Sequence, residues 1–340
     1  MTLKAAIVGL GGVYPMHSNS LAAIGVPVAA VCDKVPERAE EAARRTGARA
    51  FTDYGEMLAA GGFEVLHICL PHYLHAPIAI EAMRAGYHVL CEKPMATAVS
   101  DAEVMVKTAA ECEKTLGVIF QNRYNPGSRL IKEAIDSGAL GTVTGGWLRV
   151  TWHRGADYYK NSDWRGKWAT EGGGVLINQS IHTFDLMNYF LGTPHHLNAS
   201  IANRAHPEIE VEDMAEGVIF YGRDGNIPVS FYVNTYHPYD APVGLEIVGT
   251  KGHAVLIGED VEIKYADGTT RAVGADTDAQ KRFGIKDYWG VSHVKQIAAF
   301  YESLRKGEPP EITGASALAT QRLINGIYDA ARKINEERLP

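Results

Sequence analysis

The chain has 340 residues, 46% hydrophobic side chains, a formal net charge of −7 and four cysteines. That length fits two domains with an ample core, and an acidic chain without a long basic run excludes a nucleic-acid partner. No apolar run approaches the ~18–20 residues needed to span a bilayer, which excludes a membrane partner. The start, "MTLKAAIVGLGG", lacks the basic, apolar and cleavage segments of a signal peptide and reads as a first strand. Cys32, Cys69, Cys91 and Cys112 are irregularly spaced and three fall in apolar strand-like runs. Reduced core thiols in a cytoplasmic protein are expected, not a disulfide framework or a metal site.

Residues 1–121 alternate short apolar runs with helical stretches. The runs are "LKAAIVG", "PVAAVCD", "VLHICLP", "YHVLCEK" and "GVIFQN", with helical "PERAEEAARRTG" and "APIAIEAMRAG" between them. Strands apolar on both faces and joined by helices predict an α/β fold, a Rossmann-type doubly wound parallel sheet over 1–121. Ser100 with Glu103 reads as a capping box for a helix over 101–116. From residue 122 the pattern changes to long alternating strands, such as "AEGVIFYGRDGNIPVSFYVNTY", with Asp-Gly and Gly-Asn turns. This predicts an α+β domain over 122–340 with a large, open, mainly antiparallel sheet. Helices near 126–138, 174–191 and 293–306 are expected to cover one face of that sheet, and a helix over about 315–336 closes the chain.

"AAIVGLGGVYPMH" places Gly9, Gly11, Gly12 and Val13 between the first strand and a helix. Glycines there let a pyrophosphate approach the backbone at a helix N-terminus, where free N–H groups and the dipole favour anions. Tyr14 stands where the fingerprint carries a third glycine or an alanine. Asp33 ends the second strand, where a carboxylate holds the adenosine ribose hydroxyls and repels a 2′-phosphate. NAD is the expected cofactor; Lys34 beside the aspartate leaves NADP possible. Ligands of open α/β sheets lie beyond the carboxyl ends of the strands, so Glu92 and Lys93 of "CEKP" point to the cofactor.

The stretch "WHRGADYYKNSDWRGKWATE", 152–171, holds Trp152, Trp164 and Trp168 with Tyr158, Tyr159, Arg154 and Arg165. A long segment of this kind is a lid or binding loop, or an oligomer contact. Ring faces suit apolar C–H groups and arginines suit oxygens, so Trp164 and Arg165 are candidate substrate contacts. "QNRYNP" offers Asn122 to the cofactor and Arg123 and Tyr124 to a substrate, and "KDYWGVSH" offers Tyr288 and His293.

"GGGVLINQSIHTFDL", 172–186, opens an apolar helix with three glycines. Asn178 and His182 then share one face, with Asp185 at the next turn. The glycines are expected to let a ligand approach the backbone and to offer N–H groups to a ligand oxygen. Imidazole titrates near neutrality, so His182 suits a general base. The Lys93 ammonium suits stabilisation of negative charge developing on an oxygen, and Asn178 suits orientation of the ring and binding of a hydroxyl.

Together these pieces resemble the Gfo/Idh/MocA family of NAD(P)-dependent oxidoreductases, whose members act on sugars, inositols and related polyols. "GLGGVYPMH", "ICLPHYLHAPIAIEAMRAGYHVLCEKP", "QNRYNP", "EGGGVLINQSIHTFDL" and "SHVKQIAAFYESLRKGEPPEITG" run in family order across nearly the whole chain. The resemblance implies a dinucleotide on the first domain, a carbohydrate or polyol substrate at the second, and homodimers or homotetramers built through the C-terminal sheet. It implies a cis Lys93–Pro94 bond and catalytic roles for Lys93 and His182, with Asn178 where many members carry aspartate. It also places Leu70, Pro71 and His75 beside the cofactor. The expected reaction is hydride transfer between nicotinamide and a secondary alcohol or ketone of a sugar, inositol or sugar derivative. The alternatives are a glycosidase that uses transient oxidation by bound NAD, and an NAD-binding regulator without catalysis.

Overall fold

A computed structural model describes residues 3–275 and 292–336. It divides into two units, the first formed by the described parts of Met1–Gln121 and Asp278–Leu318, the second by those of Asn122–Thr277 and Ala319–Pro340.

The first unit follows from its apolar runs. Strands β1 (Ala5–Val8), β2 (Val28–Cys32), β3 (Arg49–Phe51), β4 (Val65–Ile68), β5 (His88–Cys91) and β6 (Leu116–Val118) form one parallel sheet. Its order is β3-β2-β1-β4-β5-β6, the doubly wound arrangement. All of β1 and β4 is buried, as strands covered on both faces must be. The crossovers are α1 (Tyr14–Ala23), α2 (Pro36–Thr46), α3 (Tyr54–Ala60), α4 (His75–Arg84) and α5 (Val99–Glu111). Pro36 starts α2, and Gly47 at φ 75° ends it in the left-handed region that suits glycine. Helix α5 begins at Val99 after Ala98, so Ser100 stands inside its first turn rather than at the N-cap position expected for it.

The second unit contains α6 (Pro126–Asp136), β7 (Val143–Thr151), α7 (Ala156–Lys160), α8 (Ile181–Leu191) and seven further strands. These are β8 (His196–Ala202), β9 (Met214–Tyr221), β10 (Ile227–Asn234), β11 (Gly244–Gly249), β12 (Gly252–Ile257), β13 (Asp260–Tyr265) and β14 (Thr270–Val273). The sheet order is β14-β13-β12-β11-β7-β10-β9-β8, antiparallel throughout except for the β7–β10 pair. Strand alternation separates its faces. Leu148, Val229, Phe231, Leu245, Ile247 and Ile263 are buried on one, whereas Tyr232 and Trp147 lie on the other with Val248 and Ile257. Helices α6 and α8 cover the buried face: Gly127 lies against Val261, and Phe184 meets Phe231 edge-on at 5.3 Å. Each such apolar side chain contributes about 1.5–3 kcal/mol when fully buried.

Two helices depart from expectation. The segment His293–Lys306 is a helix, α9, but it belongs to the first unit. Its Ile297, Phe300 and Tyr301 join the core of Ala5, Ile7, Leu10 and Leu21, and the Phe300 ring lies where a side chain on Gly117 would be. The apolar stripe was legible, but a stripe does not name the core it joins. The second departure is α8, which starts at Ile181 rather than near 174. Gly172 and Gly173 at φ 84° and 148° cannot continue a right-handed helix, and residues 174–180 are turns closed by Ser180 N–H to the Val175 carbonyl at 2.9 Å. The last helix, α10, spans Gly314–Glu336. Among the described residues no helix is long and apolar enough to cross a membrane.

Candidate active site

Three strand ends meet around the β1–α1 turn. Gly9 sits at φ 87°, and a Cβ there would lie 2.5 Å from the Cys69 carbonyl oxygen and 3.0 Å from the Leu70 side chain. Only glycine fits, and the fit brings Gly9 against the Leu70–Pro71 loop. Gly11 and Gly12 differ: nothing lies within 4 Å of a Cβ built on either, so the backbone there is open. Tyr14 does not obstruct this turn, because its ring is buried in the core beside Leu10 and Leu21. Asp33 follows β2, with one carboxylate oxygen accepting the Leu10 N–H at 2.8 Å and the other the Val35 N–H at 2.9 Å. Val13 caps α1 and Lys34 is exposed. An open glycine turn before a helix, with a carboxylate fixed beside it, fits a dinucleotide.

Lys93 stands at the tip of β5. From Val89 to Ala96 it is the one residue that is not buried, and the Lys93–Pro94 bond is cis. Its neighbour Glu92 is buried in a polar cluster. Glu92 Oε1 takes a hydrogen bond from His17 Nε2 at 2.9 Å and lies 3.7 Å from His293 Nε2; Oε2 accepts the Lys93 N–H at 3.2 Å. His17 Nδ1 meets His67 Nδ1 at 2.8 Å, and His67 Nε2 meets the Tyr301 hydroxyl at 2.9 Å. Burial acts to raise the Glu92 carboxyl, but the hydrogen bonds and charges of His17 and His293 outweigh it and hold the group well below the usual range. Burial, reinforced by His17, holds His67 well below the usual histidine value. His293 is buried in the first unit, with its Nε2 turned to Glu92. His75 is fully buried, its ring nitrogens 2.7 Å from the Leu70 and Pro94 carbonyls, so it ties the Leu70–Pro71 loop to the strand tip.

In the second unit one pattern stands out. Every residue from Glu171 to Asn188 is buried except Asn178 and His182. The polar pair singled out in the sequence is the pair left accessible, although Asn178 precedes the helix and His182 lies in its first turn.

Two of the glycines before them are required by close packing. A Cβ on Gly173 would lie 2.0 Å from the Tyr328 hydroxyl, and one on Gly174 would lie 1.9 Å from the Glu212 carbonyl oxygen. The Gly174 and Leu176 N–H groups donate to Glu212 Oε2 and Oε1 at 2.9 and 3.0 Å, and Tyr328 donates to Oε1 at 2.9 Å. Of the three glycine N–H groups expected to greet a ligand oxygen, that of Gly174 is held by a protein carboxylate and that of Gly172 by the Trp168 carbonyl at 3.1 Å. Burial pushes Glu212 up to about 7 against the pull of these donors.

Other expectations shift. Arg123 is buried and donates through Nε and Nη2 to Asp185 at 2.7 and 2.5 Å, while Thr320 donates to the same carboxylate at 2.8 Å. The arginine expected to meet substrate thus holds the α8 aspartate. Tyr124 lies under Arg129 at 4.7 Å, and the Asn122 carbonyl accepts the Asn125 N–H at 3.2 Å. The segment 152–171 is not structureless: it carries α7 and forms a small core of Tyr159 with Ile209 and Val211. Within it the Arg165 guanidinium stacks 4.3 Å from the Tyr158 ring and 5.0 Å from Trp164. Tyr158 also receives hydrogen bonds from Asn178 Nδ2 at 3.1 Å and Gln179 Nε2 at 3.2 Å, so Arg165, Trp164 and Asn178 are neighbours. Tyr288 lies outside the described residues. Glu171, Glu212 and His17 were not singled out as functional in the sequence; their partners are distant along the chain or hidden inside quoted motifs.

Comparison with known proteins agrees with the geometry. Residues 3–120 match the oxidoreductase family with an NAD-binding Rossmann fold, and residues 128–255 match the GFO/IDH/MocA C-terminal domain. An inositol 2-dehydrogenase of Rubrobacter xylanophilus is 28% identical over 91% of this chain and 84% of its own length. A D-apiose dehydrogenase of Rhizobium rhizogenes is 26% identical over 97% of this chain and 95% of its own. The WlbA dehydrogenase from Bordetella pertussis, solved in complex with NADH and UDP-GlcNAcA, superposes with a TM-score of 0.87 at 30% identity, over 98% of this chain and 97% of that one. The parallel sheet with its open glycine turn, the Lys93–Pro94 strand tip and the accessible Asn178–His182 pair on a mainly antiparallel second unit are those of a chain that belongs to the Gfo/Idh/MocA family of NAD-dependent oxidoreductases.

Proposed function

We propose that this oxidoreductase interconverts a secondary alcohol and a ketone on a sugar, inositol or sugar derivative, with His182 and Lys93 acting on the reacting hydroxyl. The observation that carries the reading is the selective accessibility of the two residues: each is the kind of side chain the chemistry needs, in a run where its neighbours are buried. The bound nicotinamide cofactor supplies the hydride acceptor or donor. Gly11, Gly12 and Val13 hold the pyrophosphate and Asp33 the ribose, which favours NAD. The His182 imidazole takes the hydroxyl proton, and the Lys93 ammonium stabilises negative charge on the oxygen. Trp164 and Arg165, in the aromatic cluster around Tyr158, present a ring face and a cation to the sugar. The relatives named for inositol and apiose and the neighbour solved with UDP-GlcNAcA support a polyhydroxylated ring substrate.

The open face of the C-terminal sheet supports the reading of a homo-oligomer. It exposes Tyr232, Val248 and Ile257 in a mixed apolar and polar surface. The four cysteines, none in a disulfide, fit a cytoplasmic enzyme.

The test is a screen of inositols, hexoses, uronates, nucleotide-linked uronates and keto-sugars with NAD and NADP, followed by Lys93→Met and His182→Ala. Both variants are expected to lose turnover while NAD still raises the melting temperature. Turnover near the wild-type rate in either variant overturns the assignment of roles.

A further inference from the structure

Asn178 is held by a buried carboxylate. Glu171 is 1% exposed; its Oε2 accepts the Gly166 N–H at 2.5 Å and its Oε1 accepts Asn178 Nδ2 at 2.5 Å. The second hydrogen of the same amide nitrogen goes to the Tyr158 hydroxyl at 3.1 Å. A primary amide has two N–H hydrogens and one carbonyl oxygen. Both hydrogens are therefore directed into the Glu171–Tyr158 pair. Turning the amide over would set its carbonyl against the Glu171 carboxylate, two acceptors with no hydrogen between them, which a buried site does not tolerate. Asn178 can act on anything outside this trio only through its oxygen.

We propose that Glu171 is a positioning residue that fixes Asn178 as a pure hydrogen-bond acceptor, so that the site takes an N–H or O–H donor at this point, either the His182 ring or a substrate hydroxyl. The inference rests on the reading of His182 as the catalytic base. It also accounts for the pairing of residue types. An aspartate at position 178 would bring a second carboxylate within hydrogen-bond distance of Glu171, and two carboxylates so close cannot both be ionised. Glutamate at 171 and asparagine at 178 are compatible; glutamate with aspartate is not. Glutamine with aspartate is compatible again: a glutamine amide at position 171 would donate to the aspartate at position 178 while its oxygen still accepted the Gly166 N–H.

The test is a double-mutant cycle of Glu171→Gln, Asn178→Asp and the two combined, assayed at 25 °C with the alcohol found in the screen. In Glu171→Gln the new amide nitrogen turns the Asn178 carbonyl toward itself and its N–H groups outward. kcat/KM is expected to fall by about tenfold or more, a transition-state loss in a protein that is still folded. Asn178→Asp alone is expected to lose a similar factor. The combined variant is expected to recover to within about threefold of wild type, a strongly non-additive result. Its kcat/KM profile should have the acid limb displaced to higher pH, because a carboxylate now stands nearer the base. A role for Glu171 in folding alone would move melting temperatures and leave kcat/KM and the pH profile of the folded variants unchanged. That outcome, or a combined variant no better than the worse single one, overturns the proposal. Turnover that survives His182→Ala overturns the parent reading instead, and this inference with it. It is told apart because it is read at position 182 alone, with positions 171 and 178 unchanged.

Discussion

His17 Nε2 lies 2.9 Å from Glu92 Oε1, both side chains are buried, and the other Glu92 oxygen holds the Lys93 N–H. The strand tip that carries the lysine is thus anchored by an ion-pair-type contact inside the first unit. Glu92 sits well below the ordinary value of 4.5 when folded. A depressed carboxyl contributes stability that is present above its unfolded value and lost as pH falls through the folded one. Glu92→Gln is expected to flatten the loss of stability below about pH 4.5. Glu92→Ala, which leaves the imidazoles without their partner, is expected to cost roughly 3–5 kcal/mol at pH 7. Urea unfolding across pH 3–7 checks both; a wild-type acid limb in Glu92→Gln contradicts the assignment.

Glu212 carries the opposite sign. Burial raises it from 4.5 to about 7. Its favourable contribution is complete below the unfolded value and is lost as pH rises through the folded one, on the order of 3 kcal/mol over that window. Glu212→Gln has no such titration, but it sets an amide N–H against the donors of Gly174, Leu176 or Tyr328, at a cost of roughly 1–3 kcal/mol. The stability gap between wild type and variant is therefore expected to shrink between pH 5 and pH 8. A gap independent of pH contradicts this.

The glycines divide into two kinds. Gly174→Ala places a methyl group 1.9 Å from a backbone oxygen, which cannot turn aside as a side-chain tip does. It is expected to destabilise the fold by about 1–3 kcal/mol or more. Gly11→Ala meets nothing within 4 Å and is expected to leave the melting temperature unchanged. It should still weaken NAD binding by about tenfold or more, because the methyl group occupies the approach to the helix N-terminus. Calorimetric melting and NAD titration separate them; unaltered NAD affinity in Gly11→Ala removes that turn from the cofactor site.

Arg123→Lys tests the reassignment of the buried arginine. Lysine carries charge but not the two-pronged geometry that meets Asp185. The variant is expected to lose about 1–3 kcal/mol of stability while KM changes by less than about threefold. A raised KM at unchanged stability would return Arg123 to the substrate.

Much of this architecture was legible in the sequence, for identifiable reasons. The β1 and β4 runs are apolar on both faces, which only a covered parallel sheet explains. Strict alternation in β10, with Val229, Phe231 and Val233 buried and Ser230 and Tyr232 exposed, marks a one-sided sheet. Asn178 and His182 were visible because polar residues interrupted an apolar run. What was hidden depends on contacts far along the chain. Nothing near Gly174 reveals that Glu212, thirty-eight positions on, fills its N–H group. The apolar face of α9 is as evident as that of α8, but periodicity does not say which sheet either packs on. The Arg123–Asp185 pair was hidden because its partners stand sixty-two positions apart.

The decisive measurement is a crystal structure of the chain with NAD and an alcohol that it oxidises, reading the distances from the reacting oxygen to Lys93 Nζ and to the nearer His182 ring nitrogen. Both are expected at about 2.6–3.2 Å, the reach of a proton in flight. An oxygen touched by one of these nitrogens while the other lies beyond the reach of any single bridging water would contradict the shared role proposed for them.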